Sequence, residues 1–236
     1  MSMSVIKEPR QEHKEFELER VILFSDAVFA IAITLLIIEI KLPHVPEHLA
    51  PGEYSKVIQP FVFEFFTFVA SFAFIGNFWI RHLQLCRFMQ HYNIGLVYRN
   101  LFFLFFVVCF PFSAAAMMHL TTNFVLPMFI YLGNLAGCLA GLFWLSYYVF
   151  QRNPGLAIAG HHTEKELLYQ RFKYNFFTVA TVFTTLALSF FIFPDGMTIQ
   201  RLSYTFIPAL VLFNYFRIRI KKRNTLRLVH IGDKSS

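Results

Sequence analysis

The sequence predicts an all-α membrane protein with six transmembrane helices, and three observations predict it. Hydrophobic residues make up 56% of the 236 residues and charged residues only 15%, too little charge to cover a water-exposed surface. The apolar residues fall into six runs of roughly 20, the length that crosses a ~30 Å hydrocarbon layer as a helix. All but three of the 21 Lys and Arg lie on one side of those runs, the exceptions being Lys41, Lys56 and Arg201. The positive-inside rule then puts both termini in the cytoplasm. The runs are continuous rather than alternating, which selects helices over barrel strands.

The first nineteen residues are polar, with Lys7, Arg10 and Lys14 among five glutamates. No short apolar stretch with a small-residue cleavage site follows, so no cleaved signal peptide is expected. The first crossing is placed at about 20–41. It opens with a polar cluster, Arg20, Phe24, Ser25 and Asp26, runs apolar from Ala27 to Ile38, and ends at Glu39, Lys41 and Pro43. Residues 42–58, with three prolines, Gly52, His44 and His48, form an outer cap. The second crossing, about 59–80, opens with Pro60, a residue suited to a first helical turn. The third is about 96–118 and the fourth about 125–150. The fourth carries Gly133, Gly137 and Gly141 on one face, where another backbone can approach closely. Residues 151–173 form a cytoplasmic loop in which Thr163 and Glu166 fit a capping box. A short interfacial helix there leads into the fifth crossing, about 174–193, and the sixth follows at about 201–219. The polar cluster of the first helix has no second copy, so residues 1–236 read as a single six-helix domain.

The net charge of +7 does not point to nucleic acid, because the basic residues sit at the ends of apolar segments. The tail from Arg217 to Arg227 reads as a topology signal beside anionic lipid. Cys86, Cys109 and Cys138 form no C-x-x-C pair, so neither a disulfide framework nor a zinc site is expected. There is no H-E-x-x-H, no Gly-rich phosphate loop and no G-x-S-x-G. Nothing places a histidine beside Ser25 and Asp26, and the chain is not expected to be an enzyme. His161 and His162 read as a solvated doublet, and His82 and His91 as flanking a cytoplasmic turn.

The informative polar residues lie within crossings, where an ionisable group is costly and faces protein or water. Asp26 is the clearest case; it is either part of a structural network between helices or a proton carrier. Glu64, Asn77, Asn100, Asn175 and Asn214 lie near segment ends, and Trp79 is an interfacial anchor. At about 100° per residue, Leu35 lies near +40° from Ile31, Ile38 near −20° and Leu42 near +20°. These form one apolar stripe with Thr34 on its flank at about −60°, whereas Asp26 lies on the opposite side at about −140°. If Asp26 faces other helices, the stripe faces away from them, toward lipid in a monomer or toward an axis in a symmetric oligomer. Glu39, near +80°, either attracts cations at the outer end or is buried between helices.

Arg20-x-x-x-Phe24-Ser25-Asp26 resembles the R-x-x-x-F-S-D signature of the lysosomal-type potassium channel family in its six-crossing prokaryotic form. Trp79-x-x-His82, and Asn100 with Pro111-Phe112, are similar to that family too, although Arg81 stands where its prokaryotic members often have a first histidine of a pair. The resemblance implies a homotetramer whose first helices line a central pore, in a prokaryotic inner membrane. It implies hydrophobic constrictions at Ile31, Leu35 and Ile38, ion selectivity linked to Thr34, and anchoring of the helix by Arg20, Phe24, Ser25 and Asp26. Potassium ions are then the permeant species, with no cofactor and no metal site. The family lacks a carbonyl-lined filter, and this chain has no T-V-G-Y-G. The rival expectation is a proton-conducting channel or proton-coupled transporter using Asp26.

Overall fold

Long apolar runs with few helix breakers fold as helices because lipid offers no partner for a bare backbone N–H or C=O. The computed structural model describes residues 9–43, 54–119 and 125–192, and there the elements are helical. α1 spans Pro9–Leu35 and tightens into a 3₁₀ turn, Leu36–Glu39. α2 is Tyr54–Cys86, α3 Ile94–His119 and α4 Val125–Tyr147. α4 ends in a π turn, Tyr148–Arg152, followed by a 3₁₀ turn, Pro154–Leu156, and α5 is His162–Ile192. The chain divides into two compact units, residues 1–166 and 167–236.

Four of these helices are long and apolar enough to cross a membrane, over Glu17–Glu39, Val57–Cys86, Ile94–His119 and Leu126–Arg152. The protein is therefore an all-α, multi-pass membrane protein. The expected third and fourth crossings agree with α3 and α4 within a few residues. The sixth, and the basic tail, lie outside the described residues.

Several boundaries differ from expectation for local reasons. α1 begins at Pro9, eleven residues before the expected start, because the Glu- and Lys-rich segment ahead of Arg20 consists of strong helix formers. α2 starts at Tyr54, so Pro60 lies inside the helix rather than at its opening. α2 also continues one and a half turns past Ile80, to Cys86. α5 starts at His162, so Thr163 is already helical and cannot cap it. The turn is made instead by Gly160 and His161, both at positive φ (80° and 53°), and His161 Nδ1 lies 3.8 Å from the Glu164 carboxylate. Glu166 accepts a hydrogen bond from Gln151 Nε2.

In the first unit α3 is the hub, packing against α1, α2 and α4. Its buried Phe103 and Phe110 meet Phe29 of α1, Phe78 of α2 and Tyr131 of α4 at centroid distances of 5.5–6.4 Å. Glycine sets the α3–α4 approach. A Cβ on Gly141 would come within 2.8 Å of the Phe103 Cα, and one on Gly137 would strike the Phe106 ring. This is the close backbone approach expected from the glycine spacing. Two polar pairs link helices here: Ser71 with Tyr131 at 3.0 Å, and Asn134 Nδ2 to Ser113 Oγ at 3.2 Å.

In the second unit, α5 from residue 167 onward is threonine-rich. Thr178, Thr181, Thr184 and Thr185 each donate a hydroxyl to a carbonyl four residues back, which satisfies them within the helix.

Candidate functional site

The candidate site is built on α1, whose two faces differ. Leu18, Ser25, Phe29, Ala32 and Leu36 are buried, in steps of seven, four, three and four residues that keep one helix face toward α2 and α3. Between them Ile31, Leu35 and Ile38 are 58%, 40% and 69% exposed. Thr34 is exposed too, and its hydroxyl donates to Ile31 O at 2.9 Å. With its proton turned back to the helix, the Thr34 oxygen has lone pairs left for a cation.

The buried face carries a polar chain that joins three helices. Asn100 Nδ2 of α3 donates to Ser25 Oγ of α1 at 2.8 Å. Ser25 Oγ donates in turn to Val21 O at 2.8 Å. His82 Nε2 of α2 lies 2.9 Å from Asn100 Oδ1 and must donate, because the Asn100 amide nitrogen already serves Ser25. His82 Nδ1 is then an acceptor, and the Cys86 thiol lies 3.6 Å from it. Every donor points the same way, from Cys86 to Val21, so each bond polarises the next. The His82 ring stacks on Phe103 at 5.6 Å. His82, Ser25 and Asn100 are all buried, with at most 3% exposure. The void beside them is about 10 Å³, at the lower limit for one water, so the joint is packed nearly dry.

Asp26 lies at the edge of this joint, half-buried, and accepts the Trp79 indole N–H at 2.9 Å. Arg20 and Phe24 are exposed. The structure thus brings Ser25 and Asp26 onto α2 and α3 and leaves the other two signature residues on the outer surface of this chain. His82 and Asn100 were named among the residues that carry the resemblance but not as partners of Ser25: His82 was expected beside a turn, and Asn100 near a segment end where water or a neighbouring helix satisfies it. The available signal was a histidine and an asparagine, each flanked by apolar residues one helical turn away, in runs where lipid could pair neither.

At the other end of α1 the 3₁₀ turn changes the predicted angles. A 3₁₀ helix advances about 120° per residue, so Ile38 falls near +40°, in line with Leu35, instead of near −20°. Glu39 swings to about +160°, away from the stripe. It is half-buried beside His119 of α3, whose Nε2 lies 3.1 Å from Glu39 O and 3.9 Å from Glu39 Oε2. Of the two readings of Glu39, contact with a neighbouring helix is the one seen. Leu42 lies beyond the helix end and leaves the stripe. Lys41 N donates to Glu64 Oε2 of α2 at 3.4 Å. Near the N-terminal end of the span, Tyr92 donates to the Glu17 carboxylate, which holds the phenol pKa above its usual value.

Among the described residues no cluster of His, Cys, Asp or Glu could hold a metal ion.

Residues 20–111, from the signature on α1 to Pro111 on α3, match the family model for the endosomal/lysosomal potassium channel TMEM175. A protein named as a potassium channel from Streptomyces collinus is 38% identical over 96 residues, 41% of this chain and 45% of that protein. One from Chryseobacterium sp. is 26% identical over 172 residues, 71% of this chain and 80% of that protein. A third, from Chamaesiphon minutus, is 33% identical over 102 residues, 43% of this chain and 50% of that protein. The matches at 38% and 33% identity thus span half or less of those relatives' length. The fold matches the crystal structure of a lysosomal potassium-selective channel TMEM175 homologue from Chamaesiphon minutus with a TM-score of 0.63, at 20% identity, over 86% of this chain and 98% of that one. The relatives are named as channels, in line with the reading that this chain is not an enzyme. Residues 20–111 thus resemble the TMEM175 family in sequence, and over 86% of its length the chain shares the fold of the solved homologue.

Proposed function

We propose that this chain is one subunit of a homotetrameric, potassium-permeable cation channel, with α1 of each subunit lining a central pore. The observation that carries the reading is the exposure of Ile31, Leu35 and Ile38 on the face of α1 opposite its buried joint. In a lone chain the described residues leave those side chains largely uncovered. Around a shared axis they form three apolar levels about 6 Å apart, four residues at 1.5 Å each and then three at 2.0 Å. A cation crossing such a neck sheds water, and potassium sheds it more readily than sodium. Thr34, between the levels, offers oxygens that favour the ion that has done so. The names of the relatives support potassium as the permeant species.

The reading includes six crossings in one domain over residues 1–236, both termini cytoplasmic, and a prokaryotic inner membrane. Arg20, Phe24, Ser25 and Asp26 serve as the anchor that sets the neck's width. Its test is potassium flux from liposomes holding the purified protein, together with its mass in mild detergent. Electrogenic, weakly saturating flux from a tetramer is expected. A monomer, or flux strictly coupled to a proton gradient, would overturn it.

A further inference from the structure

Near the N-terminal end of α3, next in the chain to Asn100 but outside the joint's hydrogen bonds, one arginine has an elaborate setting. The Arg99 guanidinium carbon lies over the Tyr148 ring, 3.8 Å from its centroid, and 4.8 Å from that of Trp144. Its Nη1 donates to Gly95 O at 2.7 Å. Its Nε is buried without a partner, and among the described residues no carboxylate pairs with it. The setting is built rather than incidental. Tyr148 opens the π turn that ends α4, a rare geometry that concentrates at functional positions. Its hydroxyl reaches Asn93 Oδ1 at 3.3 Å by passing over Gly95, where any Cβ would collide with it. Gly95, the π turn and the two rings together hold the cation in place.

An arginine held without a counter-charge, with most of its five donors unused, is a receptor for a planar or tetrahedral anion. The surroundings decide which. Trp144 and Tyr98 are 43% and 67% exposed on the apolar flank, where interfacial aromatics sit at headgroup level. We propose that Arg99 on its Tyr148–Trp144 platform binds the phosphate of an anionic phospholipid headgroup.

The test uses the full chain in phosphatidylcholine nanodiscs, with and without phosphatidylglycerol, and with inorganic phosphate as a separate arm. Phosphatidylglycerol should raise the unfolding temperature of the unchanged protein by roughly 5 °C. R99Q should lose most of that increment. R87Q, which removes an exposed arginine at the same end of the bundle, should keep it. Inorganic phosphate should give no increment. The proposal is overturned if R99Q keeps the full increment, if R87Q loses as much, or if inorganic phosphate reproduces the effect. Should R99Q fail to fold, R99K keeps the charge but loses the guanidinium and its forked donors, and should lose at least half the increment; retention of all of it also overturns the proposal.

Discussion

The two ends of α1 are held by different chemistry. At the Ser25 end the partners are neutral, buried and close: the hydrogen bonds through Asn100, His82 and Ser25 are 2.8–2.9 Å long. At the Glu39 end they are ionisable, half-exposed and longer, at 3.1–3.9 Å to His119 and 3.4 Å to Glu64. A buried neutral network costs a great deal to break, because each orphaned group faces lipid or protein. A half-exposed ionic contact is worth little and weakens with salt. The same helix is therefore pinned at one end and adjustable at the other, and the proposed constriction lies between the pin and the free end.

The largest expected effect breaks the pinned end. Asn100→Ala removes the acceptor of His82 Nε2 and the donor to Ser25 Oγ and should cost about 2–4 kcal/mol. Thermal unfolding in detergent measures this, and wild-type stability would remove the network's role. Asp26→Ala comes next. It leaves the Trp79 indole N–H without its acceptor and should lower tetramer yield by size-exclusion chromatography before it alters ion preference. A stable Asp26→Ala tetramer with normal potassium flux but no proton flux would assign Asp26 to proton transport instead. Third, Ile31→Ser acts on the exposed face alone. It should raise cation flux several-fold and blunt discrimination between potassium and sodium, with less than about 1 kcal/mol change in stability. Unchanged currents would take Ile31 out of the pore. The smallest effect is at the adjustable end, where His119→Ala should cost under about 1 kcal/mol. A loss equal to that of Asn100→Ala would erase the difference between the ends.

Much of this was legible in the sequence where a local rule decides it. α3 and α4 were bounded closely because their apolar runs end at polar clusters, and the glycine spacing foretold the close α3–α4 approach. The side opposite Asp26 was legible from the helical angle alone, and Asp26 does turn toward α2. What escaped depends on residues distant in the chain. His82 is paired because Asn100, eighteen residues on, accepts its Nε2 hydrogen while donating to Ser25; no period in α2 records that. Arg99 reads as one more positive charge until the π turn carries Tyr148 beneath it. The 3₁₀ turn at Leu36 follows no breaker residue, so the uniform 100° wheel misplaced Ile38 and Glu39.

That short turn has a mechanical consequence. Winding is a coordinate as real as tilt. Were residues 36–39 to relax to α pitch, Ile38 would rotate by about 60° and the segment would shorten by about 2 Å, like a screw backed off part of a turn. Glu39 would swing with it, off His119 and toward the stripe. Such a change of winding would alter the outline of this end of α1 without moving Ser25 or anything behind it. A cysteine at position 38 would report the twist through its rate of modification from the bulk, and a rate unaffected by His119→Ala would show that His119 does not hold the thread.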